Sequence, residues 1–171
     1  MTARNPKAAP GVRIRRAVRE DADGIHRCLL AAFEPYRERY TPGAFADTVP
    51  TPDGISERLR TMALFVADHS GEVVGTIGCL DVGDGSGHLR GMAVLPGWQG
   101  RGVAAALLAH AEDELRRLGC RRVNLHTTHP LARAARFYES RGFVRTGEVE
   151  DFFGMEIIEF AKSLIPIAAR D

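Results

Sequence analysis

Lysine is nearly absent from this chain: Lys7 and Lys162 are the only two among 23 basic residues. Arginine carries the rest, which we read as codon usage of a GC-rich genome rather than a functional adaptation. An excess of one charge is missing too. With 22 acidic residues against the 23 basic ones the net charge is +1, so no overall field recruits nucleic acid or an anionic membrane. No apolar run reaches the roughly 18 residues that a membrane-spanning helix needs. Cys28, Cys79 and Cys120 are scattered without CxxC spacing, which implies neither a disulfide framework nor a cysteine metal site. The start, MTARNPKAAPG, is polar and has no apolar segment behind it, so a secretory leader is not expected. These absences point to a cytoplasmic protein with reduced thiols.

What is present fits one globular domain. At 171 residues, 44% hydrophobic and 26% charged, the chain can bury a proper core but is short for two. The expected domain covers residues 12–165, with tails at 1–11 (disordered) and 166–171. Val12–Arg16 alternates like a strand, and a helix carrying Ile25, Leu29 and Phe33 on one face follows, with Asp21 or Asp23 as its N-cap. Glu34–Thr51 contains Pro35, Pro42 and Pro50 and reads as a broken, apolar lid. Ile55, Leu59 and Met62 are spaced for a short second helix. Ala63–His69 and Glu72–Leu80 flank a Ser70-Gly71 turn as a hairpin. The Gly-rich turn DVGDGSG leads to a third strand, HLRGMAVL, where Gly91 suggests a bulge. A helix with Val103, Leu107, Ala111 and Leu115 in register stops at Gly119. RRVNLHT is the next strand, and Pro130 opens a helix striped by Leu131, Ala135 and Tyr138 that ends at Gly142. FVRT and MEIIEFAKSL close the chain as strands.

The segment GWQGRGVAAALL places a glycine turn at the mouth of a helix. Unpaired amides and the helix dipole favour an anion there, and Gly100 and Gly102 would let the backbone close around a phosphate. A tight strand-to-helix turn is the plain alternative. The segment is neither a Walker A loop nor GxGxxG. Here the chain resembles the GNAT acyltransferase superfamily, whose acyl-CoA loop reads Gln/Arg-x-x-Gly-x-Gly/Ala at the start of a helix. Gln99-Gly100-Arg101-Gly102-Val103-Ala104 matches that pattern. FYESRGF, residues 137–143, matches the later Tyr-x-x-x-Gly-Phe signature, and the order of elements matches over residues 12–161. The resemblance implies an α/β (α+β) acyl-CoA acyltransferase fold with a mixed, mostly antiparallel sheet flanked by helices.

It also implies roles. The amides of Gln99, Gly100, Arg101, Gly102, Val103 and Ala104 would hold the CoA pyrophosphate. Met92, Ala93 and Val94 would lie on the bulged strand that pairs with the pantetheine arm, the Met92 amide aimed at the thioester carbonyl as an oxyanion donor. Tyr138 matches a tyrosine that protonates the departing thiolate, although its spacing also suits a core position. Leu131 departs from the asparagine that relatives often carry seven residues before this tyrosine, which puts one CoA contact in doubt.

The general base is less defined. His88 lies four residues before Met92, where some relatives place an acidic base, and imidazole titrates near a pKa of about 6.5. A solvated turn histidine, His126 on the next strand, and a water relay are the alternatives. The other histidines lack metal-ligand spacing, so no metal is expected. Phe33–Met62 would shape the acceptor pocket, either as a wall of Tyr36, Tyr40 and Phe45 with Glu34, Glu38 and Asp47 for a cationic amine, or as a hydrophobic satellite over the sheet. The reading reached is an N-acetyltransferase that moves acetyl from acetyl-CoA to a primary amine of a small molecule or peptide by direct attack. The alternatives are a non-catalytic acyl-CoA sensor of the same fold, and an RNA-binding module using the arginines at 13, 15, 16 and 19 and at 116, 117, 121 and 122. Self-association as a homodimer is left open.

Overall fold

The computed structural model describes residues 6–166. Strand β1 (Val12–Arg16) runs antiparallel to β2 (Ala63–His69), and β2 turns through Ser70-Gly71 into β3 (Glu72–Gly83). The ladder between β3 and β4 (Ser86–Val94) continues to Gly83↔Ser86. The polar turn expected over seven residues is therefore only Asp84-Gly85, both at positive φ, because ladder hydrogen bonds override the weak strand preference of Asp and Gly. β5 (Arg122–Thr128) pairs with β4 in parallel, β7 (Met155–Ser163) pairs with β5, and β6 (Val144–Phe152) lies at the edge. β6 runs beyond the expected FVRT because its partner β7 supplies the ladder, despite exposed side chains and an irregularity around Gly147. The seven strands form one sheet in the order β1-β2-β3-β4-β5-β7-β6.

Alternation along the strands feeds two cores. Leu64, Val66 and Val73 face helices α1 (Ala22–Phe33), α2 (Pro42–Thr48) and α3 (Pro52–Thr61), whereas Phe65, Ala67 and Val74 face α4 (Val103–Arg117) and α5 (Ala132–Ser140). The broken segment before residue 51 is more helical than its prolines suggest. Pro42 and Pro52 occupy first-turn positions, and Thr41 and Thr51 cap α2 and α3 by accepting from the amides of Ala44 (3.3 Å) and Gly54 (3.2 Å). Proline at a helix start forfeits no hydrogen bond, so residues that would break a helix interior here begin two. A 3-10 stretch at Glu34–Arg39 links them to α1.

Asp21 does precede α1, but its carboxylate caps nothing in it. It accepts a bidentate pair from Arg15 at 2.7 and 2.8 Å and the Val18 amide at 2.8 Å. Of the expected tails, residues 1–5 and 167–171 lie outside the described residues. From Pro6 the chain is placed: Ala9 accepts from the Val12 amide, and the Lys7 carbonyl stands 3.1 Å from where a Cβ on Gly102 would project.

Candidate active site

β4 and β5 share three rungs, Ser86↔Arg122, Gly87↔Val123 and His88↔Asn124. Beyond them the strands part, although β4 continues to Val94 and β5 to Thr128. An antiparallel neighbour flanks each strand on its outer side, so the inner edges face a wedge that an extended ligand can enter as a strand would. Gly91 has φ +66 and sits where the β3–β4 register slips, between Gly78↔Arg90 and Thr76↔Ala93. This is the bulge expected from the sequence, and it reorients the backbone next to Met92.

The wedge leads to the glycine turn. Gly100 and Gly102 adopt φ +75 and +78, no side chain caps α4, and open space surrounds the Cβ position of Gly100. A turn with these properties suits a phosphate. Gln99 pins it: its Nε2 donates to the Val94 carbonyl at 3.2 Å, and Arg133 of α5 donates to its Oε1 at 2.9 Å. Arg101 lies over the Trp98 ring, 5.1 Å from its centroid. Arg133 escaped sequence reasoning because the only signal is a basic residue in the first turn of a helix distant in sequence. Leu131, in the place of the expected asparagine, sits at the N-cap of α5 without a side-chain cap.

Tyr138 points from α5 into the α4-side core. It is buried against Phe137 and Phe143 in edge-on contacts, within the cluster that Met92 packs on. Burial raises its phenol above the ordinary value, so the hydroxyl keeps its proton. The ring is thus a core residue, as its spacing suggested, with a hydroxyl that remains a donor.

On the opposite face, at the vertex of the wedge, Glu159 of β7, Asn124 of β5 and His88 of β4 form a chain. Asn124 Nδ2 donates to Glu159 Oε2 at 3.2 Å, and Asn124 Oδ1 lies 2.7 Å from His88 Nδ1. A carboxylate only accepts, which orients the amide and makes its oxygen the acceptor of the His88 Nδ1 proton. His88 Nε2 then carries the lone pair. Burial lowers the pKa of His88, reinforced by His126 and Arg90, against the opposing effect of Asn124 and Glu159. The ring is therefore neutral at neutral pH. His126 stands 5.5 Å from it, centroid to centroid, with its Nε2 buried and unpartnered; Glu150 and Glu159 approach that nitrogen at 3.7 and 3.9 Å. Asn124 was not singled out from the sequence, since an asparagine on a strand carries no signal until its neighbours across the sheet are known.

The supposed aromatic wall is mostly core. Tyr40 and Phe45 are each 8% exposed, pack edge-on, and belong to the α1–α3 cluster. Tyr40 also ties this region to β5 by a 2.8 Å hydrogen bond with Thr128. Glu34 pairs with Arg37 at the surface, while Asp47 turns inward to Arg90 at 2.7 Å. Four of the eight clustered arginines form ion pairs among the described residues: Arg15 with Asp21 and Asp68, Arg16 and Arg117 with the same Glu114, and Arg116 with Glu112 and Asp113.

Comparison with known proteins gives the family and the fold. Residues 24–143 match the family model described as the acetyltransferase (GNAT) family. The chain is 30% identical to an aminoalkylphosphonate N-acetyltransferase of Salmonella typhimurium, over 82% of this chain and 90% of that protein. It is 29% identical to an S-(2-succino)cysteine N-acetyltransferase of Bacillus subtilis over 80% and 86%. An N-alpha-acetyltransferase MAK3 of Arabidopsis thaliana is 32% identical over 60% of this chain, which spans just over half (56%) of that relative. The fold superposes on a PaiA N-acetyltransferase of Thermoplasma acidophilum solved with coenzyme A, at a TM-score of 0.73 and 17% identity, covering 89% of this chain and 98% of that one.

Proposed function

The chain belongs to the acetyltransferase (GNAT) family and is an acetyl-CoA-dependent N-acetyltransferase, and from that premise we propose that it acetylates a primary amine using His88 as base and Tyr138 as acid. The observation that carries the assignment is the Glu159–Asn124–His88 chain at the vertex of the β4–β5 wedge. It fixes one tautomer of a neutral imidazole, so Nε2 can take the proton that an ammonium must lose. A non-catalytic sensor would have no use for that arrangement. His126, behind His88, is not assigned as the base, because no hydrogen bond sets its tautomer among the described residues.

The residues fit acetyl-CoA, which supplies an acetyl group activated as a thioester. The amides of Gly100, Arg101, Gly102, Val103 and Ala104 hold its pyrophosphate, with Arg133 as an added cation beside the turn. The Gln99 amide, expected among them, already donates to the Pro96 carbonyl at 3.4 Å, and Gln99 serves through its side chain instead. Met92, Ala93 and Val94 line the strand edge, the Val94 carbonyl already accepting from Gln99, and the Met92 amide, reoriented by the bulge, is the donor for developing negative charge. The Tyr138 hydroxyl holds a proton for the sulfur side. The relatives' names, for an aminoalkylphosphonate, an S-(2-succino)cysteine and an N-alpha position, support an amine acceptor.

Calorimetric titration with acetyl-CoA, followed by assay of free thiol release over a panel of primary amines, tests the reading. Stoichiometric binding and amine-dependent thiol release are expected. Tyr138→Phe should keep acetyl-CoA affinity while kcat falls by about 10²- to 10⁴-fold; an unchanged kcat at every pH would remove the acid role.

A further inference from the structure

Arg58 of α3 and Arg90 of β4 face the same small pocket beside the bulge, where Ile25, Leu29, Ile55 and Met62 form an apolar lining. One carboxylate serves both. Asp47 of α2 accepts from Arg90 Nη2 at 2.7 Å and lies 3.9 Å from Arg58 Nη2, which also donates to the Asp47 carbonyl. The local sum is therefore +1, and the Arg58 side chain is only 15% exposed. Burial and the nearby Arg90 bring the pKa of Arg58 down to about 10, so it stays charged at neutral pH, yet as a desolvated cation beside a like charge. Such a group gains most from an arriving anion.

The position ties this cation pair to the chemistry. Arg58 Nη1 stands 3.9 Å from where a Cβ of Gly91 would project, next to Met92. Arg90 lies two residues from His88 and shares its face of β4, while Glu150 and Glu159 close the far side, behind His126. The mouth is thus bipolar, with guanidiniums at one end, carboxylates at the other and the imidazole between. We propose that Arg58 and Arg90 bind an anionic group of the acceptor, a carboxylate or phosphonate, so that the enzyme acetylates short primary amines that carry negative charge. A guanidinium pair holds either oxyanion through paired N–H donors and repels an amine whose only charge is its ammonium. The inference rests on the acetyl-transfer reading above.

The test compares glycine, β-alanine, 4-aminobutyrate and 2-aminoethylphosphonate with the neutral partners glycinamide, β-alaninamide, 4-aminobutanamide and ethanolamine, at saturating acetyl-CoA. At least one anionic amine should exceed its neutral partner by about 10- to 100-fold in kcat/KM, the size expected of hydrogen bonds to a charged group. Arg58→Met should raise KM for that amine by a similar factor while leaving its kcat, the neutral amines and acetyl-CoA affinity nearly unchanged. Arg90→Met should raise that KM likewise. Because Arg90 helps lower the His88 pKa, this variant should also move the acidic limb of kcat/KM to higher pH for anionic and neutral amines alike, so the two amine classes are compared above that limb. Arg58→Lys, which keeps the charge but loses the planar fork, should fall between; it also guards against misfolding of the Met variant. A readout independent of turnover is calorimetric binding of 2-aminoethylphosphonate and ethanolamine to the CoA-saturated protein, where only the first should bind. Equal use of anionic and neutral amines, or equal losses for both in the arginine variants, overturns the inference while acetyl transfer stands. Failure to bind acetyl-CoA overturns the transferase reading, and this inference with it.

Discussion

His88 concentrates the chemistry at the scale of a residue. Its pKa is pushed below the ordinary value by burial, so the acidic limb of kcat/KM should lie below the usual imidazole pKa of about 6.5. His88→Gln should abolish that limb and lower kcat by about 10²- to 10⁴-fold. Asn124→Leu removes the bond that opposes burial, so the limb should move further to acid and kcat should fall, with the KM for acetyl-CoA unchanged; a limb that stays in place would deny Asn124 its positioning role. The same shift acts on stability. A histidine kept neutral by the fold binds fewer protons than in the unfolded chain, so its contribution is present above the unfolded pKa and is lost as pH falls through the folded one. Thermal melts from pH 7 to pH 5 should therefore drop less in His88→Gln than in the wild type. The cysteines stand outside this chemistry: burial pushes the thiols of Cys28 and Cys79 up to about 12, which leaves little thiolate near neutral pH.

Helix α4 is the element that joins the core to the cosubstrate turn. It lies on the sheet over glycine: a Cβ on Gly87 would fall 2.7 Å from two Leu115 methyls, and one on Gly75 would fall 2.9 Å from Leu107. Gly87→Val should push α4 outward and destabilise the protein by about 1–3 kcal/mol, the usual result of overpacking, read as a lower urea midpoint. Gly102→Val acts at the other end of the same element. Its φ of +78 disfavours a branched side chain, and the Lys7 carbonyl is already close. Acetyl-CoA affinity should fall at least about tenfold, the equivalent of the 1–2 kcal/mol that a left-handed residue costs, in a protein that still melts cooperatively. Unchanged affinity would mean the turn is only a turn.

Across the whole molecule, the sheet is nearly two pieces. β1–β4 and β5–β7 are joined by three parallel rungs and by the core beneath α4 and α5. Acetyl-CoA bound in the wedge would bridge the pieces, and ligand at 100 times its Kd stabilises by about 2.7 kcal/mol. For a chain of this size that corresponds to a rise in Tm of about 5–11 °C, whereas NAD at the same concentration should leave Tm in place. No helix among the described residues is long and apolar enough to cross a membrane.

Local order was legible where a local signal exists. The alternation of Val12–Arg16, the Ser70-Gly71 hairpin, the bulge at Gly91, and the start and stop of α4 at Gly102 and Gly119 all follow from side-chain period and from glycine's access to positive φ. These are properties of neighbouring residues, and together with the glycine-turn and Tyr-x-x-x-Gly-Phe motifs they sufficed to identify the fold. Other features depend on residues far apart in the chain. Tyr40 and Phe45 became core rather than pocket wall because α2 and α3 fold back on the sheet, turning prolines into helix starts. The orientation of His88 depends on Asn124, 36 residues away, and on Glu159, which is brought beside Asn124 by β7. Arg58 and Arg90 share Asp47 only after three separate elements converge. Periodicity determines which face each strand and helix buries, and long-range packing alone decides which charges meet in the site.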